Sequence, residues 1–262
     1  MNIKKISIIV VSLNTVDSFI KTIDSITSQT NQNYEIIVID GGSTDGTIEE
    51  IAKRKKFFSF YSIEKDDGIY DAMNKGIDHI KTDWTIFLNS GDVFYNNHIL
   101  NKIINLCVLK NDIIFSNTIV NNSNLKYVVT SKQFNKNTIV MPFCHQSSIV
   151  KTSLLKSYKF NTKYSLSSDF NFFLECFIQG KNFLYFNNII SIVKSEGISD
   201  NQRQKVFSEN LEILNKKNKN IISLLIYILM LREFLVSSIK FFLPKKIIRI
   251  VFQLKYRNRI IK

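Results

Sequence analysis

Apolar and polar positions follow two different periods along the first ninety residues. Residues 7–11 form a short β-branched run with the length of a buried strand, whereas Ile20, Ile23 and Ile26 recur at helical spacing. Both patterns then repeat in turn. Strands are predicted over 7–11, 35–39, 57–63 and 85–88, and helices over about 17–29, 44–55 and 70–80.

This βα alternation predicts an α/β fold with a mostly parallel sheet and helices on its faces. In such sheets, ligands collect beyond the carboxyl ends of the strands. Asp40 ends the second predicted strand, and the segment 89–92 follows the fourth. We therefore interpret both as parts of a site rather than as surface polar residues.

The pattern is less regular in the second half of the chain, where no internal repeat is found. The elements predicted there are a strand over 113–115 and helices over about 99–109 and 168–179. A further helical segment leads to the polar hinge 215–220.

The net charge of +13 is concentrated in the last sixty residues. Residues 1–202 hold 21 Lys+Arg against 19 Asp+Glu, a balance of +2, whereas residues 203–262 hold 14 against 3, a balance of +11. A nucleic-acid binder more usually carries its basic face on the folded domain. We therefore predict no nucleic-acid partner.

The basic tail also carries apolar residues at helical spacing. Its uncharged run 221–231 falls short of the ~20 apolar residues that a spanning helix needs. After Pro244, an apolar face is flanked by lysine and arginine, which suits a helix lying on an anionic membrane; the alternative is a helix packed on the core. The prediction is a catalytic domain over 1–203 and a basic, membrane-associating tail of amphipathic helices over 204–262.

The cysteines and the apolar residues near the N-terminus indicate the cellular compartment of the protein. Cys107, Cys144 and Cys176 are widely spaced, as expected for reduced thiols. The apolar run 6–11 is too short for a secretory signal. We expect a cytoplasmic protein, peripherally associated with the inner face of the cell membrane.

The first βα turn excludes two familiar nucleotide sites. Residues 12–16 contain no glycine, and the first glycine of the chain is Gly41. A dinucleotide fingerprint or a P-loop needs glycines at this turn so that backbone N–H groups can approach phosphates. The same absence argues against a sugar nucleotidyltransferase.

Two acidic positions could contact a nucleotide, and each has a structural alternative. Asp40, before Gly41-Gly42, can accept hydrogen bonds from a base or a ribose, or can belong to a turn whose helix Ser43, Thr44 or Asp45 caps. Asp71 can face a donor that lies under its helix, or can belong to an acidic first turn favoured by the helix dipole.

The turn Asn89-Ser90-Gly91-Asp92 could hold a divalent cation. Mg²⁺ or Mn²⁺ at a diphosphate uses one or two carboxylates together with phosphate oxygens, so Asp92 alone is sufficient in principle. Its structural alternative is an ordinary turn aspartate.

Together, these motifs resemble glycosyltransferase family 2, whose members are inverting enzymes of the GT-A fold. The resemblance is closest to the bacterial subgroup that builds exopolysaccharide, capsule or lipopolysaccharide. The matching stretches are 7–14, Asp40 to Thr47, Asp67 to Gly76 and Phe87 to Asp92.

The resemblance implies a role for each matching residue. Asp40 would contact the uracil or ribose of a nucleotide-sugar donor, and Ser12 and Asn14 would line the same pocket. Asp92 would bind the metal. The resemblance places Asn89 among the residues that bind the donor nucleotide. Asn89 and Gly91 occupy positions where other members carry acids. We therefore expect metal affinity to be weak in the free enzyme and to rise when nucleotide is bound.

Later segments resemble the acceptor side of the family. Ser168-Asp169 resembles its catalytic-base segment, which makes Asp169 the expected general base, with a helix N-cap as the alternative. His145 and Gln146 resemble a His-Gln segment near the acceptor, where a partnered structural histidine is the alternative. Ser199 ends the Gly-Ile-Ser loop.

The resulting hypothesis is transfer of one sugar from a UDP- or similar donor to a growing, lipid-linked glycan. Two rivals remain open. One is a catalytically silent nucleotide- or glycan-binding homologue, favoured by the missing acids at positions 89 and 91. The other is a sugar nucleotidyltransferase.

Overall fold

The computed structural model describes residues 6–107, 110–122, 125–195 and 202–217, together with 228, 231, 247, 256 and 259–261. The strands of the described chain are β1 (Ile6–Ser12), β2 (Tyr34–Asp40), β3 (Phe60–Ile63), β4 (Trp84–Phe87), β5 (Val93–Phe94), β6 (Ile113–Asn122), β7 (Leu125–Val129), β8 (Ser148–Lys151) and β9 (Phe183–Lys194). The helices are α1 (Val16–Thr27), α2 (Thr47–Arg54), α3 (Ile69–Asp78), α4 (Ile99–Leu106), α5 (Thr152–Tyr158), α6 (Ser168–Ile178) and α7 (Arg203–Lys216).

These strands form one sheet in the order β3-β2-β1-β4-β8-β6-β9-β5, and β7 pairs with β6 outside this path. The four strands from the first half of the chain are mutually parallel, as predicted. β8 joins them antiparallel to β4, and β6 is antiparallel to β8 but parallel to β9. The carboxyl ends of β2, β1 and β4 therefore lie side by side at one edge.

β1 is buried on both faces of the sheet, because its successive side chains pack alternately into two apolar cores. Ile8 and Val10 pack against the face covered by α1, α2 and α4. Ile9 and Val11 pack against the face covered by α3, α5, α6 and α7. Gly76 of α3 permits close packing there, since an added Cβ would lie 2.8 Å from Ile9 Cγ2.

Several elements differ from the sequence prediction. β5, β7, β8, β9 and α5 were not predicted, and β6 runs to Asn122 rather than ending at 115. The proposed caps of α2 at Ser43 and Thr44 are wrong, because the helix begins at Thr47 after Gly46, which has φ of +101°. Asp45 accepts the Thr47 N–H at 3.1 Å instead.

The helix α7 packs against the rest of the fold. Ile213 and Leu214 are buried in the core that also contains α6. The predicted boundary at 203/204 therefore falls at the start of a helix that completes this core. The amphipathic tail predicted beyond it lies outside the described residues, apart from isolated positions.

Some of those positions contact the rest of the fold. Ile260 forms an antiparallel bridge with Tyr127 of β7, and the Ile261 N–H donates to the Lys126 carbonyl at 2.9 Å. Within the described ranges, no helix combines the length and apolar content needed to cross a bilayer.

Candidate functional site

The carboxylate of Asp40 organises the loop that follows β2. It is fully buried and accepts four hydrogen bonds. Oδ2 receives the hydroxyls of Ser12 and Ser43, each at 2.7 Å, and Oδ1 receives the N–H groups of Gly42 and Ser43 at 3.1 and 2.7 Å. Gly42 supplies the positive φ of +86° that this turn requires.

Asn14 ties the β1–α1 loop to the same network. It adopts a left-handed conformation, with φ of 51°. Its N–H donates to Ser43 Oγ at 2.7 Å, and its Oδ1 accepts the Thr44 N–H at 2.8 Å. The structure thus brings Ser12, Asn14 and Asp40 together, with Asn14 exposed and the other two buried. Their contact with a nucleotide stays a prediction.

Asp71 lies farther along this edge, on the first turn of α3. Its Oδ2 accepts the Asp67 N–H at 3.1 Å and lies 3.4 Å from Lys75 Nζ. These contacts show a stabilised helix start, and a role toward the donor stays a prediction.

The turn 89–92 is fixed between β1 and α1. The Ser90 N–H donates to the Val11 carbonyl at 3.0 Å. The hydroxyl of Thr22 bridges the turn, since it accepts the Gly91 N–H and donates to the Asp92 carbonyl, both at 2.8 Å. A positive φ of +105° at Gly91 lets the chain reverse here. The main chain at Asp92 is thereby held in one place.

Asp92 is a buried acid in a mixed environment. Its residue is 5% exposed, and burial raises the pKa of its carboxyl from 3.8 to about 6. The charge of His145 and hydrogen bonds from Lys194 N–H and Gln146 lower the pKa and only partly offset the burial. The carboxylate is therefore largely ionised at neutral pH but costs free energy in the folded state.

The oxygens at this turn fit a hard divalent cation whose other ligands are mainly the phosphate oxygens of a bound diphosphate. Asn89 Oδ1 is buried without a hydrogen-bond partner, and it follows β4 on the same turn as Asp92. One carboxylate and one amide oxygen are the kinds of donor that Mg²⁺ and Mn²⁺ use beside phosphate oxygens. No group of three or more His, Cys, Asp or Glu side chains forms a cage in the described part of the chain.

Asp169 is the second residue of α6, so it is not the helix cap. His145 Nδ1 lies 3.2 Å from its Oδ2, while Tyr70 Oη and the Phe170 N–H donate to its Oδ1 at 2.9 and 2.8 Å. Burial acts to raise the pKa of Asp169. The hydrogen bond and charge of His145, assisted by Phe170 and Tyr70, outweigh burial and hold that pKa below its ordinary value.

His145 lies within electrostatic reach of both buried acids. It pairs with Asp169 and lowers the pKa of Asp92. Its Nε2 is buried and has no hydrogen-bond partner. Its neighbour Gln146 accepts a hydrogen bond from Cys144 Sγ at 2.7 Å. His145 and Gln146 are thus beside the predicted base and metal ligand, whereas Ser199 lies outside the described residues.

Sequence reasoning missed Glu209, which shapes the approach to Asp169. From α7 it accepts the N–H groups of Ser165, Leu166 and Ser167 at 3.1, 2.9 and 2.9 Å. These bonds fix the loop that leads into α6. The one sequence feature that could have drawn attention to Glu209 is that it is one of only 3 acidic residues, against 14 basic ones, in residues 203–262.

The sequence and fold match those of known sugar-transferring enzymes. The model of a family described as Glycosyl transferase family 2 matches residues 7–190. A "PGL/p-HBAD biosynthesis glycosyltransferase" of Mycobacterium bovis is 27% identical over 179 residues, which cover 65% of this chain and 69% of the relative.

Two solved structures resemble this fold at low sequence identity. Staphylococcus aureus TarS in complex with UDP-GlcNAc superimposes with a TM-score of 0.62 at 16% identity, covering 84% of this chain and 70% of that one. Mycobacterium tuberculosis glucosyl-3-phosphoglycerate synthase, with Mn²⁺, UDP and glucosyl-3-phosphoglycerate, gives 0.58 at 14% identity, covering 81% and 79%. The predicted GT-A fold is confirmed, whereas the C-terminal amphipathic helices stay a prediction.

Proposed function

The chain belongs to glycosyl transferase family 2, and we propose that it transfers one sugar, with inversion, from a UDP-sugar to a growing lipid-linked surface glycan. The observation that carries this proposal is that His145 interacts with two buried acids, Asp169 and Asp92, whose pKa values shift in opposite directions. Asp169 is held ionised by His145 and Tyr70, whereas burial raises the pKa of Asp92. Acids so separated in pKa suit different roles in one reaction.

Asp169 is the general base of the proposed transfer. An acceptor hydroxyl attacks the anomeric carbon while its proton passes to Asp169, a new carbon–oxygen bond forms, and the bond to the nucleoside diphosphate breaks. Attack on the face opposite the leaving group inverts the anomeric centre. Tyr70 and His145 hold the carboxylate in position for that proton.

Asp92, assisted by Asn89 Oδ1, would hold Mg²⁺ or Mn²⁺ beside the donor diphosphate. Such a cation neutralises charge on the departing diphosphate. The Mn²⁺ and UDP bound to glucosyl-3-phosphoglycerate synthase support this cofactor class.

The nucleoside would lie over the loop fixed by Asp40. Ser12, Asn14 and Asp40 form one hydrogen-bonded unit beside α3, which carries Asp71. Because Asp40 is fully enclosed, we propose that it fixes the loop, while the exposed Asn14 and Thr44 offer groups to the donor. A uridine donor is supported by the UDP and UDP-GlcNAc in the two similar structures, whereas a similar mannosyltransferase of Pyrobaculum calidifontis binds GDP-Man, so a GDP-sugar belongs in the donor panel as well.

A donor panel tests the transferase proposal. Purified protein with Mg²⁺ or Mn²⁺ should release UDP from at least one UDP-sugar, and chelation should abolish release. If every donor binds without turnover, the protein is a silent nucleotide-binding homologue. If it instead releases pyrophosphate from UTP and a sugar 1-phosphate, it is a nucleotidyltransferase.

We also propose that the basic tail associates peripherally with the cytoplasmic face of the cell membrane, where a lipid-linked acceptor resides. Vesicles containing anionic lipid should sediment the full chain, whereas neutral vesicles should not, and ~0.5 M salt should weaken binding. Replacing Lys245, Lys246 and Arg249 with Gln should release the protein.

The matched control replaces the exposed Lys55, Lys56 and Lys102 of the catalytic domain with Gln, which removes the same charge. Equal sedimentation of the tail variant and the wild type would show that the tail does not bind lipid.

A further inference from the structure

A cleft beside the 89–92 turn is not used by the proposed chemistry. It has a volume of about 270 Å³ and lies between α1 and the ends of β6 and β9. Its polar lining comes from Ser18 and Lys21 of α1, from Asn121 of β6, and from Lys194 and Ser195 at and just after the end of β9. The volume is below the ~300–1,000 Å³ of pockets that enclose whole ligands. The cleft therefore suits one chemical group better than a complete nucleotide sugar.

The lining is cationic. Lys21 and Lys194 both contribute side chains, and within the described chain neither forms an ion pair with a carboxylate. No acidic residue is among the described lining residues. Two positive charges at a polar cleft attract an anion, and lysine is a common partner of phosphate.

One further feature favours an oxygen-rich ligand over an empty surface hollow. Ser195 Oγ is buried and, within the described chain, has no hydrogen-bond partner, although a buried hydroxyl ordinarily has one. Gly91 in the lining has a φ of +105°, which disfavours other residues, whereas an added Cβ there would meet Ser18 Oγ at 3.6 Å and Lys194 Cδ at 4.0 Å, which are ordinary contact distances.

The side chains assigned to the donor do not line this cleft, since Gly91 and Val93 line it but Asp92 does not. The Asp92 carboxylate interacts with His145 and Gln146 and also accepts the Lys194 backbone N–H at 3.3 Å, so the two sites adjoin at Lys194. The lining strands β6 and β9 belong to the half of the sheet beyond β8, whereas the Asp40 loop lies at the ends of β1 and β2.

We propose that this cleft binds a phosphate group carried by the acceptor, and that Lys21 and Lys194 recognise it. Binding of an anion is inferred from the cleft geometry, whereas the assignment of that anion to the acceptor rests on the proposed function. Such a phosphate would anchor an acceptor beside the 89–92 turn. The ligand class is a phosphate monoester or diester.

Methyl phosphate and dimethyl phosphate are suitable probes, added to the full chain saturated with UDP and Mg²⁺. Calorimetry or NMR titration should show saturable binding of at least one of them, weakened several-fold by ~0.5 M salt. Replacing Lys21 and Lys194 together with Gln should weaken that binding at least tenfold and leave UDP affinity within twofold. The matched control, Lys102→Gln on α4, should change neither.

Three results would overturn the assignment. The first is that neither probe binds saturably. The second is that the variant with both lysines replaced binds the probes as the wild type does. The third is that UDP and Mg²⁺ displace the probe in proportion to their own binding, which would place the lysines in the donor site. Lysine-dependent probe binding in a protein that turns over no donor would instead support the anion site and refute the transferase proposal.

Discussion

Replacing Asp169 with Asn is expected to lower kcat for sugar transfer by about 10²–10⁴-fold, the usual contribution of a positioned general base. Asn retains an oxygen that can accept the bonds from Tyr70 and Phe170, so the local structure should persist. It cannot accept the acceptor proton. The measurement is steady-state transfer with donor affinity determined in parallel, and that affinity should stay within twofold of the wild type.

The matched control is Glu175→Gln on the same helix, which removes a carboxylate paired with Lys217 away from the site. It should transfer sugar at nearly the wild-type rate. Activity within fivefold of the wild type in Asp169→Asn would rule out Asp169 as the base. Loss of UDP binding in that variant would show a structural role instead.

The pH profile gives a second readout of the same assignment. His145→Gln keeps a polar side chain but removes the imidazole, whose hydrogen bond and electrostatic interaction lower the pKa of Asp169 and whose electrostatic interaction lowers that of Asp92. Both pKa values should then rise, so the acid limb of the rate profile should move to higher pH. A lower rate with an unmoved limb would mean that His145 acts only by packing.

The first half of the fold and its candidate donor site could be predicted because their signals are local. Strand-length apolar runs, helical spacing and polar residues at strand ends all lie within a few positions of one another. Asp40 and Asp92 could therefore be assigned to one edge of the sheet before any contact was known. Their burial could not, because it depends on residues such as Ser12 and Thr22, which reach them from elements 28 and 70 positions away in the sequence.

The second half was harder for identifiable physical reasons. β8 has only four residues and β5 two, which is too short for a periodic signal. β9 pairs with β6 through two register shifts, near Ser116 and Asn117, so its alternation is interrupted. Glu209 acts across 42 to 44 positions of sequence, and no local pattern records such a contact.

Stability and function are in conflict at Asp92. Burial raises the pKa of this carboxyl from 3.8 to about 6, so the charged form is disfavoured in the folded protein by roughly 3 kcal/mol at neutral pH. Because the folded state binds the proton more tightly, the free energy of unfolding should fall as pH rises from about 4 to about 6 and then level off. The proposed cation would offset this cost only when the donor is bound.

Asp92→Asn should therefore stabilise the metal-free protein while strongly lowering its metal-dependent activity. The neutral amide can still accept the Lys194 N–H but avoids the cost of a buried charge, so the midpoint of thermal unfolding in chelator at pH 7.5 should rise by several degrees. Loss of the charge that holds the cation should reduce kcat by about 10²–10³-fold, the scale of one lost electrostatic contact to the transition state. Thermal unfolding at pH 4.5 and 7.5 and metal titrations of transfer would measure both effects.

Asp83→Asn is the matched control, because Asp83 is an exposed acid just before β4 and should change neither property. Metal-stimulated transfer within a few fold of the wild type in Asp92→Asn would remove Asp92 as the ligand. Lost transfer without a gain in stability would show that the carboxylate is better solvated than its 5% exposure implies. Both effects together would mean that the folded chain accepts a destabilising charge at position 92 because donor binding requires it there.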